Sequence, residues 1–149
     1  MIRTLGSIFA LIFLLILSEG CTVSHQARLA ATTFDNGEYF KSIAAYRKIY
    51  TKTKGRENKA AIQLKIAEAF YKIGQYRQAE SYFKSAIFKD PSDATILLRY
   101  AEVLRSNGKY DEAIKNYQKF LQYLPKDERA LNGIISCNTS KDLMRKQTQ

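Results

Sequence analysis

From Val23 onward, apolar residues recur at spacings of three and four, the rhythm of amphipathic helices. Tyr39, Ile43, Tyr46 and Ile49 make one such stripe, and Ile62, Ile66, Ala67 and Phe70 make the next. Ala79, Phe83 and Ala86 follow, then Leu97, Tyr100, Ala101 and Leu104, then Tyr110, Ala113, Tyr117 and Phe120. Asn36-Gly37, Ile73-Gly74 and Asn107-Gly108 separate the members of each pair, and glycine there allows the left-handed conformation that ends a helix. Asp90-Pro91-Ser92-Asp93 and Pro125 separate one pair from the next. Proline cannot donate the next helical hydrogen bond, and the flanking Asp and Ser side chains suit a helix cap. The pattern predicts helical hairpins.

The hairpins keep a fixed register. Setting Ala60–Asp93 above Ala94–Asp127 places Gly74 on Gly108, Tyr76 on Tyr110, Ala79 on Ala113, Phe83 on Tyr117 and Pro91 on Pro125, always 34 residues apart. This resembles the tetratricopeptide repeat family. The resemblance implies an all-α solenoid of three helix-turn-helix units at about 23–59, 60–93 and 94–127, with a capping helix over 128–137. The first step, Gly37 to Gly74, is 37 residues, so about three are inserted, and the polar run Thr51–Asn58 is expected to be a lengthened loop. Leu29 and Ala30 are expected on the inner face of the first helix, and Ser42 at a close helix approach, where the later repeats carry Ala79 and Ala113. Ala130, Leu131, Ile134 and Ile135 are available to cover the last hairpin, Cys137 reads as a small buried hydrophobe, and the polar, basic segment 138–149 is expected to be mobile.

The N-terminus carries a different signal. Arg3 precedes an almost wholly apolar stretch from Leu5 to Leu17, whose 13 residues would make a helix of ~20 Å, short of a ~30 Å hydrocarbon core. That order and length predict a secretory signal peptide over residues 1–20. Leu17-Ser18-Glu19-Gly20-Cys21 resembles a bacterial lipobox, although its Leu stands four residues before the Cys and Glu19 is unusual there. The resemblance implies cleavage before Cys21, lipidation of its thiol, and anchoring at the periplasmic face of the outer membrane.

Charge narrows the partners. The chain carries a net +10 over 149 residues, and removing residues 1–20 takes away one Arg and one Glu, so the balance stays at +10. Such a chain favours acidic partners: anionic lipid, an acidic protein surface or nucleic acid. Export across the inner membrane argues against nucleic acid. Chemistry finds little support. Cys21 and Cys137 form no CxxC pair, His25 is the only histidine, and no phosphate loop, HExxH, GxSxG or clustered carboxylate pair is present. The expectation is therefore a non-enzymatic protein, with no metal or cofactor, that works by binding.

In the resembling family the first helix of each hairpin lines a concave groove, and particular repeat positions face a ligand. Counted here, they are Arg28 and Phe34, then Leu64, Lys65, Glu68, Tyr71 and Lys72, then Leu98, Arg99, Glu102 and Arg105. That mainly cationic set, on an aromatic and aliphatic floor, suits an acidic extended peptide or a partner helix. Glu68 and Glu102 stand where some relatives use Asn to grip a C-terminal carboxylate, so that clamp is not expected.

The lipobox-like start, the Asp35-Asn36-Gly37-Glu38-Tyr39 turn and the ending Glu128-Arg129-Ala130-Leu131-Asn132-Gly133-Ile134-Ile135-Ser136-Cys137 together resemble the Bacteroidetes outer-membrane lipoproteins of the PorE type. The resemblance spans residues 1–137 and lacks the β-propeller and OmpA-like domain of those proteins, so peptidoglycan binding does not carry over. It implies a scaffold of type IX secretion or gliding machinery. A general periplasmic factor for outer-membrane protein or pilus assembly, and a regulatory subunit of an envelope enzyme, fit the same residues. Self-association through an exposed solenoid end is compatible with all three.

Overall fold

The computed structural model describes residues 25–89 and 93–148; the apolar N-terminal stretch, Cys21 and Pro91 lie outside the described residues. Seven helices and no strand occur among them. They are α1 (25–35), α2 (Tyr39–Lys52), α3 (Arg56–Lys72), α4 (Tyr76–Lys89), α5 (Ala94–Ser106), α6 (Tyr110–Leu121) and α7 (Glu128–Gln147). The all-α expectation holds. Helices adjacent in the chain pack together from α2 through α7, and α5 also meets α7, so one core runs the length of a stack.

The three hairpin turns share one geometry. Gly74 and Gly108 sit at φ +73° and +75°, a region costly for any residue with a Cβ. Immediately after each glycine, the amide of Gln75 donates to the Phe70 carbonyl and that of Lys109 to the Leu104 carbonyl, at 3.0 and 2.9 Å. The first turn repeats the bond from Glu38 to Thr33 at 2.9 Å, so each first helix ends in the same Schellman closure. Asp93 caps α5 by accepting from the amides of Thr95 and Ile96, and Asp127 caps α7 by accepting from those of Arg129 and Ala130.

The inward stripes are where the sequence puts them. Ile43, Tyr46, Ile49, Ile66, Ala67, Phe70, Phe83, Leu97, Tyr100, Leu104, Tyr117 and Phe120 are all buried. Ser42 is buried too, and its hydroxyl donates to the Ala30 carbonyl at 3.1 Å, tying α2 to α1.

Four expectations change. Ala30 is fully buried but Leu29 is 55% exposed, because the contact with Ser42 points Ala30 at α2 and turns its neighbour outward. The inserted residues do not loop out: only Thr53, Lys54 and Gly55 join α2 to α3. The insertion instead lengthens α3 to 17 residues against 13 for α5, about one added helical turn at its start. Leu131 and Ile135 are exposed, leaving Ala130, Gly133 and Cys137 as the buried face of α7. Finally, the helix over 128–137 continues to Gln147, so the segment 138–147 is ordered helix. No Gly or Pro follows Gly133 to stop it, Lys141 pairs with Asp111 on α6, and Arg145 and Lys146 complement the negative end of the helix dipole.

Candidate functional site

The first helices of the hairpins, α1, α3, α5 and then α7, meet along one face, and side chains cross each junction. Between α1 and α3, Lys65 Nζ lies 5.9 Å from the centre of the Phe34 ring and 3.0 Å from Glu68 Oε2. Between α3 and α5 the arrangement repeats: Arg99 Cζ lies 5.4 Å from the centre of the Tyr71 ring, and Arg99 Nη1 is 3.0 Å from Glu102 Oε2. Phe34 and Tyr71 are register equivalents, as are Lys65 and Arg99, and Glu68 and Glu102. An aromatic ring from one helix thus carries a cation from the next, and a carboxylate three residues on fixes that cation. Each exposed contact is worth well under ~1 kcal/mol. Their importance is positional.

The second junction is the drier one. Burial first, and then the charge of Glu102 and a hydrogen bond to it, push the Tyr71 phenol above its ordinary range. Burial pulls the Arg99 guanidinium down, but its hydrogen bond and charge pairing with Glu102 outweigh that and raise it overall. Arg99 stays charged throughout the physiological range.

The other expected positions divide. Arg28 and Lys72 are exposed on this face. Leu64 is half-buried against the core and forms floor. Leu98 does not line the groove: it is 3% exposed, because α5 has packing partners on α4, α6 and α7. Cys21 lies outside the described residues.

Arg105 opens a third junction that the aromatic pattern did not reveal. It is the register equivalent of Phe34 and Tyr71, and the equivalents of the cation and the carboxylate are Gly133 and Ser136. Here α5, α6 and α7 border an open pocket of about 210 Å³ lined by Glu102, Arg105, Tyr117, Arg129, Asn132, Gly133 and Ser136. Glycine at 133 is a packing requirement, since a Cβ there would lie 2.4 Å from Tyr117 Cζ and 2.8 Å from its hydroxyl oxygen. Burial raises the Tyr117 phenol, opposed by its hydrogen bond with Arg105. Arg129 is already taken by Asp127, at 2.7 Å. Arg105 forms no ion pair among the described residues, and its buried Nε has no hydrogen-bond partner. Carrying the 34-residue period past Asp127 would have found Arg129, Asn132, Gly133 and Ser136 at groove positions.

The tetratricopeptide repeat family model matches residues 64–133, the stretch that holds the last two junctions. Over that stretch the chain is similar to tetratricopeptide repeats. Among curated relatives, the TPR repeat-containing protein MJ1428 of Methanocaldococcus jannaschii is 42% identical over 53 residues, 36% of this chain. Protein unc-45 homolog B of Xenopus tropicalis is 27% identical over 107 residues, 72% of this chain. The chain spans only 9% and 12% of those two proteins.

Solved structures agree on the fold. The second TPR domain of human RPAP3, in complex with HSP70 peptide SGPTIEEVD, superposes with a TM-score of 0.66 at 22% identity, over 78% of this chain and 98% of that one. The first TPR of Spaghetti (RPAP3), bound to HSP90 peptide SRMEEVD, gives 0.70 at 19% identity, over 80% and 93%. The Yersinia enterocolitica type III secretion chaperone SycD, in complex with a peptide of the translocator YopD, gives 0.67 at 15% identity, over 80% and 95%. At these identities the likeness is one of fold.

Proposed function

We propose that this tetratricopeptide repeat chain is a non-enzymatic protein-binding adaptor whose groove takes an acidic, extended segment of a partner. The observation that carries the reading is the row of cations, Lys65 and Arg99 foremost, seated on aromatic rings along the shared face of α1, α3 and α5. A cation held over a ring by a single carboxylate keeps donors for a second acceptor. Structures of the same fold carry peptides, and the two RPAP3 peptides end in the acidic sequence Glu-Glu-Val-Asp.

The reading extends to place. The lipobox-like residues support a lipid anchor on Cys21 at the periplasmic face of the outer membrane, and the PorE-like start, turn and ending support a role in type IX secretion or gliding machinery. No helix among the described residues is long and apolar enough to cross a membrane.

In-cell cross-linking followed by outer-membrane fractionation tests the place, and charge reversal tests the groove. The combined Lys65→Glu, Lys72→Glu and Arg99→Glu variant is expected to lose the cross-linked partner at least tenfold while its helical circular dichroism is unchanged. Undiminished capture would remove the groove from the function. Recovery of the protein in the soluble periplasm would remove the lipid anchor.

A further inference from the structure

The first helices line the groove, while α2 and α4, the second helices of the first two hairpins, present an outer face of their own. Its charge is one-sided. Helix α2 contains no acid. Helix α4 contains one, Glu80, and it turns toward the next hairpin, where its oxygens accept from Asn107 Nδ2 at 2.8 Å and Lys109 Nζ at 2.5 Å. Opposite the buried Ile43, Tyr46 and Ile49 stand Lys41, Lys48 and Lys52, and opposite the buried Ala79, Phe83 and Ala86 stand Arg77 and Lys84. All five cations are exposed, and only Lys41 has an ion pair among the described residues, with Glu38 at 2.8 Å. The pattern stops at the third hairpin, because α6 sets Asp111 and Glu112 against Lys115 and Lys119.

The same face carries Phe40, at 67% the most exposed large apolar side chain among the described residues. It borders an open pocket of about 380 Å³ that also includes the buried Ile43 and Phe70. Arg47 stands beside it, its Cζ 5.5 Å from the centre of the Phe70 ring. A ring held out in water among lysines without counter-charge is the composition of an interfacial surface. The ring suits the boundary between headgroups and acyl chains, and the lysines reach lipid phosphates along their apolar stems. The cations are spread over two helices and converge on no single acceptor, which fits the diffuse phosphates of a bilayer. We propose that the outer face of α2 and α4 docks on an anionic bilayer, with Phe40 inserted and the five cations over the headgroups.

This face is separate from the groove, and its role depends neither on the groove nor on the lipid anchor. The chain has no tryptophan, so Phe40→Trp places a single reporter on the face. The apolar run Leu5–Leu17 gives the full chain affinity for any bilayer, so it is reconstituted into vesicles of phosphatidylcholine, with or without an equal part of phosphatidylglycerol. Emission is expected to lie further to the blue in the anionic vesicles. It is expected to move back at about 1 M salt, where the Debye length falls to ~3 Å. Adding Lys48→Gln, Arg77→Gln and Lys84→Gln is expected to lower the ratio of docked to free protein at least tenfold. The matched triple Lys65→Gln, Lys72→Gln and Arg99→Gln removes the same charge from the groove and is expected to leave that ratio within twofold. Circular dichroism checks the helices of each variant.

Equal emission of Phe40→Trp in the two kinds of vesicle would overturn the docking face. So would an equal loss from the two triples, which would make net charge, and not this face, the cause. A blue shift on adding polyglutamate to the phosphatidylcholine vesicles would reassign the face to an acidic protein and overturn the bilayer as its partner.

Discussion

Helices α5 and α7 begin alike and end up differently. Each starts after an aspartate that accepts from the second and third amides beyond it, and each occupies the first-helix place of the 34-residue register. Yet α5 buries Ile96, Leu97, Leu98, Tyr100, Ala101, Val103 and Leu104, while α7 buries only Ala130, Gly133 and Cys137. The register equivalents make the contrast concrete: Leu97 is 2% exposed and Leu131 41%, Ala101 0% and Ile135 62%. Identical local signals give a sandwiched helix in one place and a one-sided helix in the other. What differs is the neighbour. Helix α5 has α4, α6 and α7 around it, whereas α7 rests on α6 and more lightly on α5.

Truncation separates the two most sharply. Leu97→Ala empties a fully packed position and is expected to cost about 2–5 kcal/mol, read as a lower midpoint in urea. Gly133→Ala attacks the seating of α7 on Tyr117 of α6. Its Cβ would overlap the Tyr117 ring, an overpacking expected to cost about 1–3 kcal/mol in the same measurement. Leu131→Ala, the register partner of Leu97, is expected to change stability by less than about 0.5 kcal/mol. A large loss there would mean that α7 has a partner face in solution, and the contrast with α5 would fail.

The same contrast explains what the sequence discloses. Spacing, turn glycines and aspartate caps are local signals, and they foretell the hairpins, their register and the buried stripes. Exposure on a first helix is not local. Leu98 and Asn132 hold one register position, and only the packing around α5 puts Leu98 inside. Leu29 beside Ala30 is settled by a hydrogen bond from Ser42, twelve residues away. The run Thr51–Asn58 reads as loop by its polarity, but polar residues are content on the exposed side of an added helical turn. The members of the cation–ring pairs, Phe34, Lys65, Tyr71 and Arg99, were all at counted positions, while the stacking itself depends on how one repeat leans on the next. Arg105 was counted with the others. Its isolation was not legible, because that depends on Ser136 standing where the two earlier repeats carry glutamate.

Cys137 shows how a position can be quiet for one reason and informative for another. It is fully buried on α7 beneath the third junction, and burial raises its thiol above the ordinary range against the pull of Arg105 and Lys141. A thiol in that state is a poor nucleophile, so it serves as packing.

The stacking of each helix on its chain neighbours also sets the order in which the molecule comes apart. A repeat array frays from its ends, because an end unit gives up one interface where an inner unit gives up two. Among the described helices α7 packs on α6 and lightly on α5, and its residues form one wall of the pocket beside Arg105. Amide exchange along Glu128–Gln147 therefore reports on that wall.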